Sequence, residues 1–436
     1  MRTRRRYRRT SIHALLLQLL LAAAFAGAGC AGEIASGSPP PSPAGAADSG
    51  VTPASDTYSA WPSYDTGGGV APGADSSPAL PSGSGKLGIV VIDIQQSFVQ
   101  SAASAITPVL QNAQTIFQLA AQHPEVPFLI TYEADKSNGL PAQLAAMQPP
   151  HAQDFVKMTY DATGLSTFAA AVTQHGLTHA VVLGAETDVC VMQTVLGLRR
   201  MGLTVILHSD AVFSSESNVG PALRRMQQAG VMMANTQQVR SYIDKTAGLP
   251  QPSNQPVRVL ERMKVAIVLN QLSDAALAQS ADANKNAKLA RLRELLLISE
   301  WFDMPLYSAT PGALPMSLQG LTSQPVRSLA ELAQNSAITQ VVFAGTDQGL
   351  AAQVASYGAA RVSFLLEDGL VAPSGTTSNA LEPLYQQGAV PLTYKSLYYG
   401  VTKAVFPDTW PQTWITRDSV FYNKVQPPES LPPIVK

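Results

Sequence analysis

The chain has 436 residues, with 29 Lys and Arg against 30 Asp and Glu and a formal net charge of −1. That balance gives no electrostatic footprint for nucleic acid and points to a small partner, uncharged or weakly charged. The length leaves room for two domains once unstructured parts are set aside. Cys30 and Cys190 are the only cysteines, so stability must come from a buried core and not from internal disulfides.

Residues 1–9 are densely basic and are followed by an apolar stretch, residues 14–26, too short for a comfortable membrane span. Residues 1–30 therefore read as an export signal. The stretch closes in Gly27-Ala28-Gly29-Cys30 and resembles a bacterial lipoprotein signal. That resemblance implies that Cys30 becomes an acylated N-terminus and tethers the protein in the bacterial cell envelope, periplasmic or outer-membrane attached. Ordinary cleavage nearby, leaving Cys30 free, is the alternative. Both the general and the twin-arginine route stay open. Residues 31–85 are dominated by Ser, Pro, Gly and Ala, with breakers at Pro39-Pro40-Pro41 and Gly67-Gly68-Gly69, and read as a disordered tether.

From Lys86 the pattern changes. Residues 86–92 form an apolar, β-branched run ending at Asp93, which predicts a buried parallel strand with a carboxylate at its C-terminal edge. Further strands are predicted at 126–131, 180–184, 203–207 and 231–234, separated by helices near 105–122, 165–176, 189–201 and 218–229. The alternation predicts a three-layer α/β/α sandwich around a mostly parallel sheet. Ligands bind such sheets outside the carboxyl ends of the strands. Cys190 falls at a strand-to-helix turn, where unpaired backbone N–H groups and the helix dipole favour a thiolate. A lone cysteine also packs readily as a small apolar residue, and both readings stand on position alone. Asp210, just past a predicted strand, reads as a helix or turn cap.

Three segments then converge on one family. Asp93-Ile94-Gln95-Gln96-Ser97-Phe98, the lysine ending Asp154-Phe155-Val156-Lys157, and Gly184-Ala185-Glu186-Thr187-Asp188-Val189-Cys190-Val191 resemble the isochorismatase-like cysteine hydrolases. The resemblance covers residues 86 to about 245 and suggests a hydrolase domain at 86–247. It implies Asp93 as proton acceptor, Lys157 as the supporting cation and Cys190 as nucleophile, with no cofactor. It also implies oxyanion donors in the backbone N–H groups of Cys190 and Glu186, with a cis peptide at Ala185-Glu186. Nicotinamidase members carry a histidine metal site after the second strand, whereas Ile130-Thr131-Tyr132-Glu133-Ala134-Asp135-Lys136 has no histidine, so no metal is expected. His123, His151, His175, His179 and His208 are scattered. Phe98 and Glu133 are candidates for the substrate pocket, against simple packing for Phe98 and a solvated loop for Glu133. Isochorismatase proper lacks the cysteine nucleophile. Cys190 thus directs the expectation to the C–N bond of a small amide or carbamoyl compound, cleaved through a thioester. The alternative is a catalytically silent surface lipoprotein acting as a binding or scaffold module.

Residues 259–425 repeat the pattern. Ala266-Ile267-Val268-Leu269-Asn270 matches the Asp93 strand, Met304-Pro305-Leu306-Tyr307 matches Val126-Pro127-Phe128-Leu129, and residues 341–350 align without a gap on residues 181–190. This alignment sets Asn270 against Asp93 and Leu350 against Cys190. About eighteen residues are missing around the Lys157 segment. The second domain is expected to be a degenerate copy that packs on the first as an internal pseudo-dimer.

Overall fold

The computed structural model describes residues 85–405 apart from 104, 135–138, 217, 311–313, 359 and 374–377. The export signal, Cys30, residues 31–84 of the tether, Asp135, Lys136 and residues 406–425 of the second domain lie outside the described residues.

The apolar runs assemble into two six-stranded, all-parallel sheets. In the first copy β1 (Leu87–Ile92) leads through α1 (Gln96–Gln100) and α2 (Ile106–Gln122) to β2 (Phe128–Glu133). Then come α3 (Ala142–Ala145), β3 (Gln153–Lys157), α4 (Ser166–Gln174) and β4 (His179–Ala185). The remainder is α5 (Met192–Arg200), β5 (Thr204–Phe213), α6 (Gly220–Gln228), β6 (Met232–Ala234) and α7 (Thr236–Ile243). The strand order is β3-β2-β1-β4-β5-β6. Parallel neighbours need crossover helices, which cover both faces, so the strands read as unbroken apolar runs. β1 shows this directly: Val90 and Ile92 enter the core on one face, Ile89 and Val91 the core on the other.

The second copy follows the same path. It comprises β7 (Val265–Asn270), α8 (Asp274–Gln279), α9 (Lys285–Phe302), β8 (Leu306–Ser308), β9 (Val326–Ser328), α10 (Leu329–Gln334) and β10 (Gln340–Thr346). It continues with α11 (Leu350–Tyr357), β11 (Val362–Val371), α12 (Ser378–Gln386), β12 (Val390–Leu392) and α13 (Tyr394–Val405). Its order, β12-β11-β10-β7-β8-β9, is that of the first sheet read from the other edge.

Strand pairing shifts the correspondence between the copies by one residue from the sequence alignment. Ile92 lies opposite Gly184, and Asn270 lies opposite Gly345. Gly184 (φ 131°) passes so close to β1 that a Cβ would sit 1.9 Å from the Ile92 carbonyl oxygen. Gly345 (φ 106°) meets the Asn270 carbonyl oxygen in the same way at 2.6 Å. Asn270 is therefore the counterpart of Ile92, and Gln271 (φ 44°) that of Asp93 (φ 47°). Carried forward, the same register sets Ala351, not Leu350, against Cys190. The counterpart of the Lys157 strand, β9, ends at Ser328, which turns the chain into α10 through a capping box with Glu331. The second copy retains none of the three chemical groups.

Asp210 lies inside β5, which runs beyond Leu207 after a register shift opposite Gly184. It accepts the N–H of Thr236 at 3.0 Å, and its counterpart Asp368 accepts the N–H of Tyr394, so each caps the start of a helix.

The copies meet through unlike faces. One continuous core takes in Phe168, Val195, Leu198 and Met226 of the first copy with Leu292, Leu295, Phe302 and Tyr398 of the second. The first copy thus offers its α4, α5 and α6 layer, and the second its α9 and α13 layer. The counterpart of that second layer, α2 with α7, covers the opposite face of the first sheet. The contact is heterologous, not pseudo-two-fold. Polar bonds cross it: Arg224 to Glu367, Gln228 Nε2 to the Ala389 carbonyl at 2.9 Å, and Tyr394 Oη to Glu216 at 3.0 Å.

Candidate active site

The direction of strand succession reverses between β1 and β4, and open α/β sheets bind ligands outside the carboxyl ends of the strands at such a point. Asp93 follows β1 immediately and adopts a left-handed φ, rare for a residue with a Cβ and held in place here by its neighbours. Cys190 lies in a π-helical turn, Thr187–Val191, between β4 and α5. This turn stands where a regular first α-turn was expected. Lys157 is the last residue of β3 and pairs in register with Glu133, the last of β2.

The three side chains meet. Lys157 Nζ is 2.6 Å from Asp93 Oδ2 and 3.5 Å from Cys190 Sγ, and the Lys157 and Asp93 side chains are both sealed from solvent. Thr131 Oγ1 donates to the other oxygen of Asp93 at 2.7 Å. Glu133 Oε2 is 4.0 Å from the sulfur, and its main chain is fixed on both sides by the Gln95 amide, which accepts from Glu133 N at 2.7 Å and donates to Glu133 O at 3.2 Å. Glu133 therefore belongs to the site and is not a solvated loop residue. Phe98, on α1, is buried in the core formed with α2 and α7. The Ala185–Glu186 peptide is cis.

The electrostatics differ from the helix-dipole expectation. Burial pushes the Cys190 thiol well above its ordinary range, and the nearby Lys157 ammonium only partly offsets this; Asp93 and Glu133 add to the rise. For Lys157 burial works against the charge, but Asp93, Cys190 and Glu133 outweigh it and hold the ammonium above its usual range. The site thus sets a thiol pushed upward by burial beside a lysine ammonium that its neighbours hold charged.

Asp93, Glu133 and Cys190 bring three potential metal-ligand atoms within 4.8 Å of one another. The set lacks an imidazole, and the Lys157 ammonium already bonds two of its members. A divalent ion would have to displace a firmly protonated lysine, so these residues fit an internal cation better than a metal.

Sequence reasoning missed Thr131, Gln95 and, from the second copy, Lys395, whose ammonium pairs with Glu186. The available signal for Lys395 was a single cation at the start of the apolar helix Tyr394-Lys395-Ser396-Leu397-Tyr398-Tyr399.

The first copy is thus a parallel α/β sheet with a Cys, Lys and Asp cluster beyond the carboxyl ends of its central strands. Residues 88–238 match the Isochorismatase domain, and this part of the chain belongs to the isochorismatase-like hydrolase family. It is similar to the secreted isochorismatase effector Isc1 of Phytophthora sojae (strain P6497), 28% identical over 184 residues, 41% of this chain and 86% of that protein. It is also similar to isochorismatase domain-containing protein 2 of Rattus norvegicus, 38% identical over 76 residues, 17% of this chain and 36% of that protein. Among solved structures, the MAR1 ribonuclease of Caenorhabditis elegans is 18% identical, with a TM-score of 0.34, over 40% of this chain and 97% of that one.

Proposed function

We propose that the first copy hydrolyses the C–N bond of a small amide or carbamoyl compound, without metal or cofactor, through a thioester on Cys190. The observation that carries this reading is the single Lys157 ammonium in contact with both the Asp93 carboxylate and the Cys190 sulfur. Asp93 takes the thiol proton as the sulfur attacks the carbonyl carbon, so thiolate forms only with substrate in place. The backbone N–H groups of Cys190 and Glu186 serve as donors to the resulting oxyanion. The protonated Asp93 passes its proton to the leaving nitrogen, the C–N bond breaks, and a thioester remains. Asp93 then accepts a proton from water as the hydroxide adds to the thioester. Expulsion of sulfur, with return of the proton to it, releases the acid and restores the thiol. Lys157 stays charged throughout and offsets whichever partner is anionic. The second copy, with Gln271 and Ala351 at the chemical positions, contributes packing and shape.

Export and lipid anchoring through Cys30 complete the proposal and place the enzyme in the cell envelope. The test is ammonia release from a panel of small amides and carbamoyl compounds. Wild type is expected to release ammonia from at least one. Cys190→Ala and Asp93→Asn should each abolish release, with losses that do not add, because nucleophile and base act as one unit. Release retained by Cys190→Ala would overturn the mechanism. A wild type inert to the whole panel would favour the silent binding module.

A further inference from the structure

We propose that Lys395, from the second copy, is a positioning residue for the nucleophile turn of the first, so that the degenerate copy works as a built-in activator. The proposal rests on the reading that Cys190 is the nucleophile. Lys395 is the second residue of α13, and 1% of it is exposed. Its ammonium donates to the Glu186 carboxylate and lies 3.5 Å from Asp188 Oδ1, 3.2 Å from Ser215 Oγ and 3.5 Å from Ser214 Oγ. Next to it, Ser396 Oγ donates to the Asp188 main-chain oxygen at 3.1 Å. Two consecutive residues of the second copy thus grip two residues of the turn that carries Cys190.

Those two residues define the turn. The Glu186 carbonyl accepts the N–H groups of Val189 at 3.0 Å and Val191 at 3.1 Å, which fixes the path through Cys190 between them. The Asp188 carboxylate accepts Ser214 Oγ–H at 2.6 Å, and the Glu186 carboxylate accepts the Ser215 N–H at 3.3 Å. Glu186 and Asp188 are both buried and two residues apart; burial opposes the Glu186 charge, yet the Lys395 ammonium holds that carboxyl below its usual range, while burial and the Glu186 charge push the Asp188 carboxyl up. Lys395 supplies the charge between them. A Glu186 carboxylate left without that cation in so dry a place would pull the turn toward solvent.

Asp93 and Lys157 reach the site on β1 and β3, which belong to the sheet. Cys190 reaches it only on this turn. Whatever holds Glu186 and Asp188 therefore sets the distance from sulfur to base. Strand pairing sets Met232 against Ile206 and Val390 against Phe364, which makes Gln237 the counterpart of Lys395. The lysine is thus no remnant of the Asp, Lys and Cys set. Its chemistry is specific to the way this second copy meets the first.

The experiment uses the full chain with two readouts: steady-state hydrolysis, and iodoacetamide labelling of Cys190, which needs no substrate. In a folded Lys395→Met variant kcat should fall about 100-fold, the usual consequence of a misplacement near 1 Å, while KM changes less than about 3-fold. Labelling at pH 7.5 should rise at least about 10-fold, because a loosened turn relieves the burial that suppresses the thiolate. Lys395→Arg, which keeps the charge, should recover most of both. Should Lys395→Met fail to fold, the double variant Lys395→Gln with Glu186→Gln puts a neutral amide pair in place of the ion pair and is read in the same way. A folded variant with wild-type kcat and wild-type labelling overturns the proposal. Altered labelling in a protein that never hydrolyses any amide would uphold the positioning role and sink the hydrolase reading.

Discussion

Replacing Lys157 by methionine keeps the length of the side chain and removes its charge, which makes it a sharp test of the site's electrostatic design. In the native protein the ammonium is 2.6 Å from Asp93 and 3.5 Å from the Cys190 sulfur, with no solvent to replace it. Removing it leaves Asp93 with the Thr131 hydroxyl and with Glu133, an additional anion, close by. Breaking one side of a buried pair costs about 3–5 kcal/mol. At roughly 2–4 °C per kcal/mol for a domain of this size, the unfolding midpoint should fall by about 6–20 °C. The sign for Cys190 is also fixed: Lys157 is the group that pulls the thiol down against burial, so its loss pushes the thiol higher still. The pH profile of iodoacetamide labelling should move to more alkaline pH, and hydrolysis should fall by about 10³-fold or more as the nucleophile and base lose their shared cation. Urea unfolding at pH 7 together with the labelling profile decides the matter. A Lys157→Met protein within about 1 kcal/mol of wild type, labelled with the same pH dependence, would refute the claim that this ammonium holds the site together.

Burial pushes the Asp368 carboxyl up to about 7, despite Arg291 and the Tyr394 N–H, with Glu367 and Glu216 adding to the rise. Because the folded value lies above the ordinary 3.8, the bound proton stabilises the fold below that value, and the benefit is lost as pH rises through about 7. At 1.36 kcal/mol per pH unit the span is worth up to about 4 kcal/mol, so Asp368→Asn should bring the urea midpoints at pH 4.5 and 7.5 closer together; an unaltered gap would contradict this. Cys30→Ser should move the full-length protein from the detergent phase to the aqueous phase, since a multiply acylated cysteine is an adequate anchor and its loss removes it. Unchanged partitioning would show that the anchor lies elsewhere.

The strands of the first copy were legible because a sheet covered on both faces writes itself as unbroken apolar runs, and Asp93 stood out because it directly follows such a run and Cys190 because it lies in the turn after one. Lys157 was less so. It ends β3, whose residues Gln153 and Asp154 are exposed, and an edge strand leaves little hydrophobic signal. The correspondence between the copies went astray by one residue where a gapless match set Ala344 against Gly184. The backbone instead requires glycine wherever the strand grazes the neighbouring carbonyl, at Gly184 and Gly345. Similarity of letters favoured one register and close approach enforced the other. The shift of the Cys190 thiol ran against the helix-start expectation for a different reason: position in the chain reveals a helix start but not depth, and burial pushes this thiol up. Lys395 had no local signature of function, because its carboxylate partners, Glu186 and Asp188, stand more than two hundred positions away.

Joining unlike faces has an implication for assembly. A two-fold contact consumes itself, whereas a head-to-tail contact leaves one donor face and one acceptor face at the outer ends, and repetition of the same step builds a filament. Here the outer ends are the α2 and α7 layer of the first copy and the α11 and α12 layer of the second. Identical copies would offer each new molecule a matching docking site. Repeating the step would require the α11 and α12 layer of the second copy to receive the α2 and α7 layer of another molecule, as the α4, α5 and α6 layer of the first receives α9 and α13.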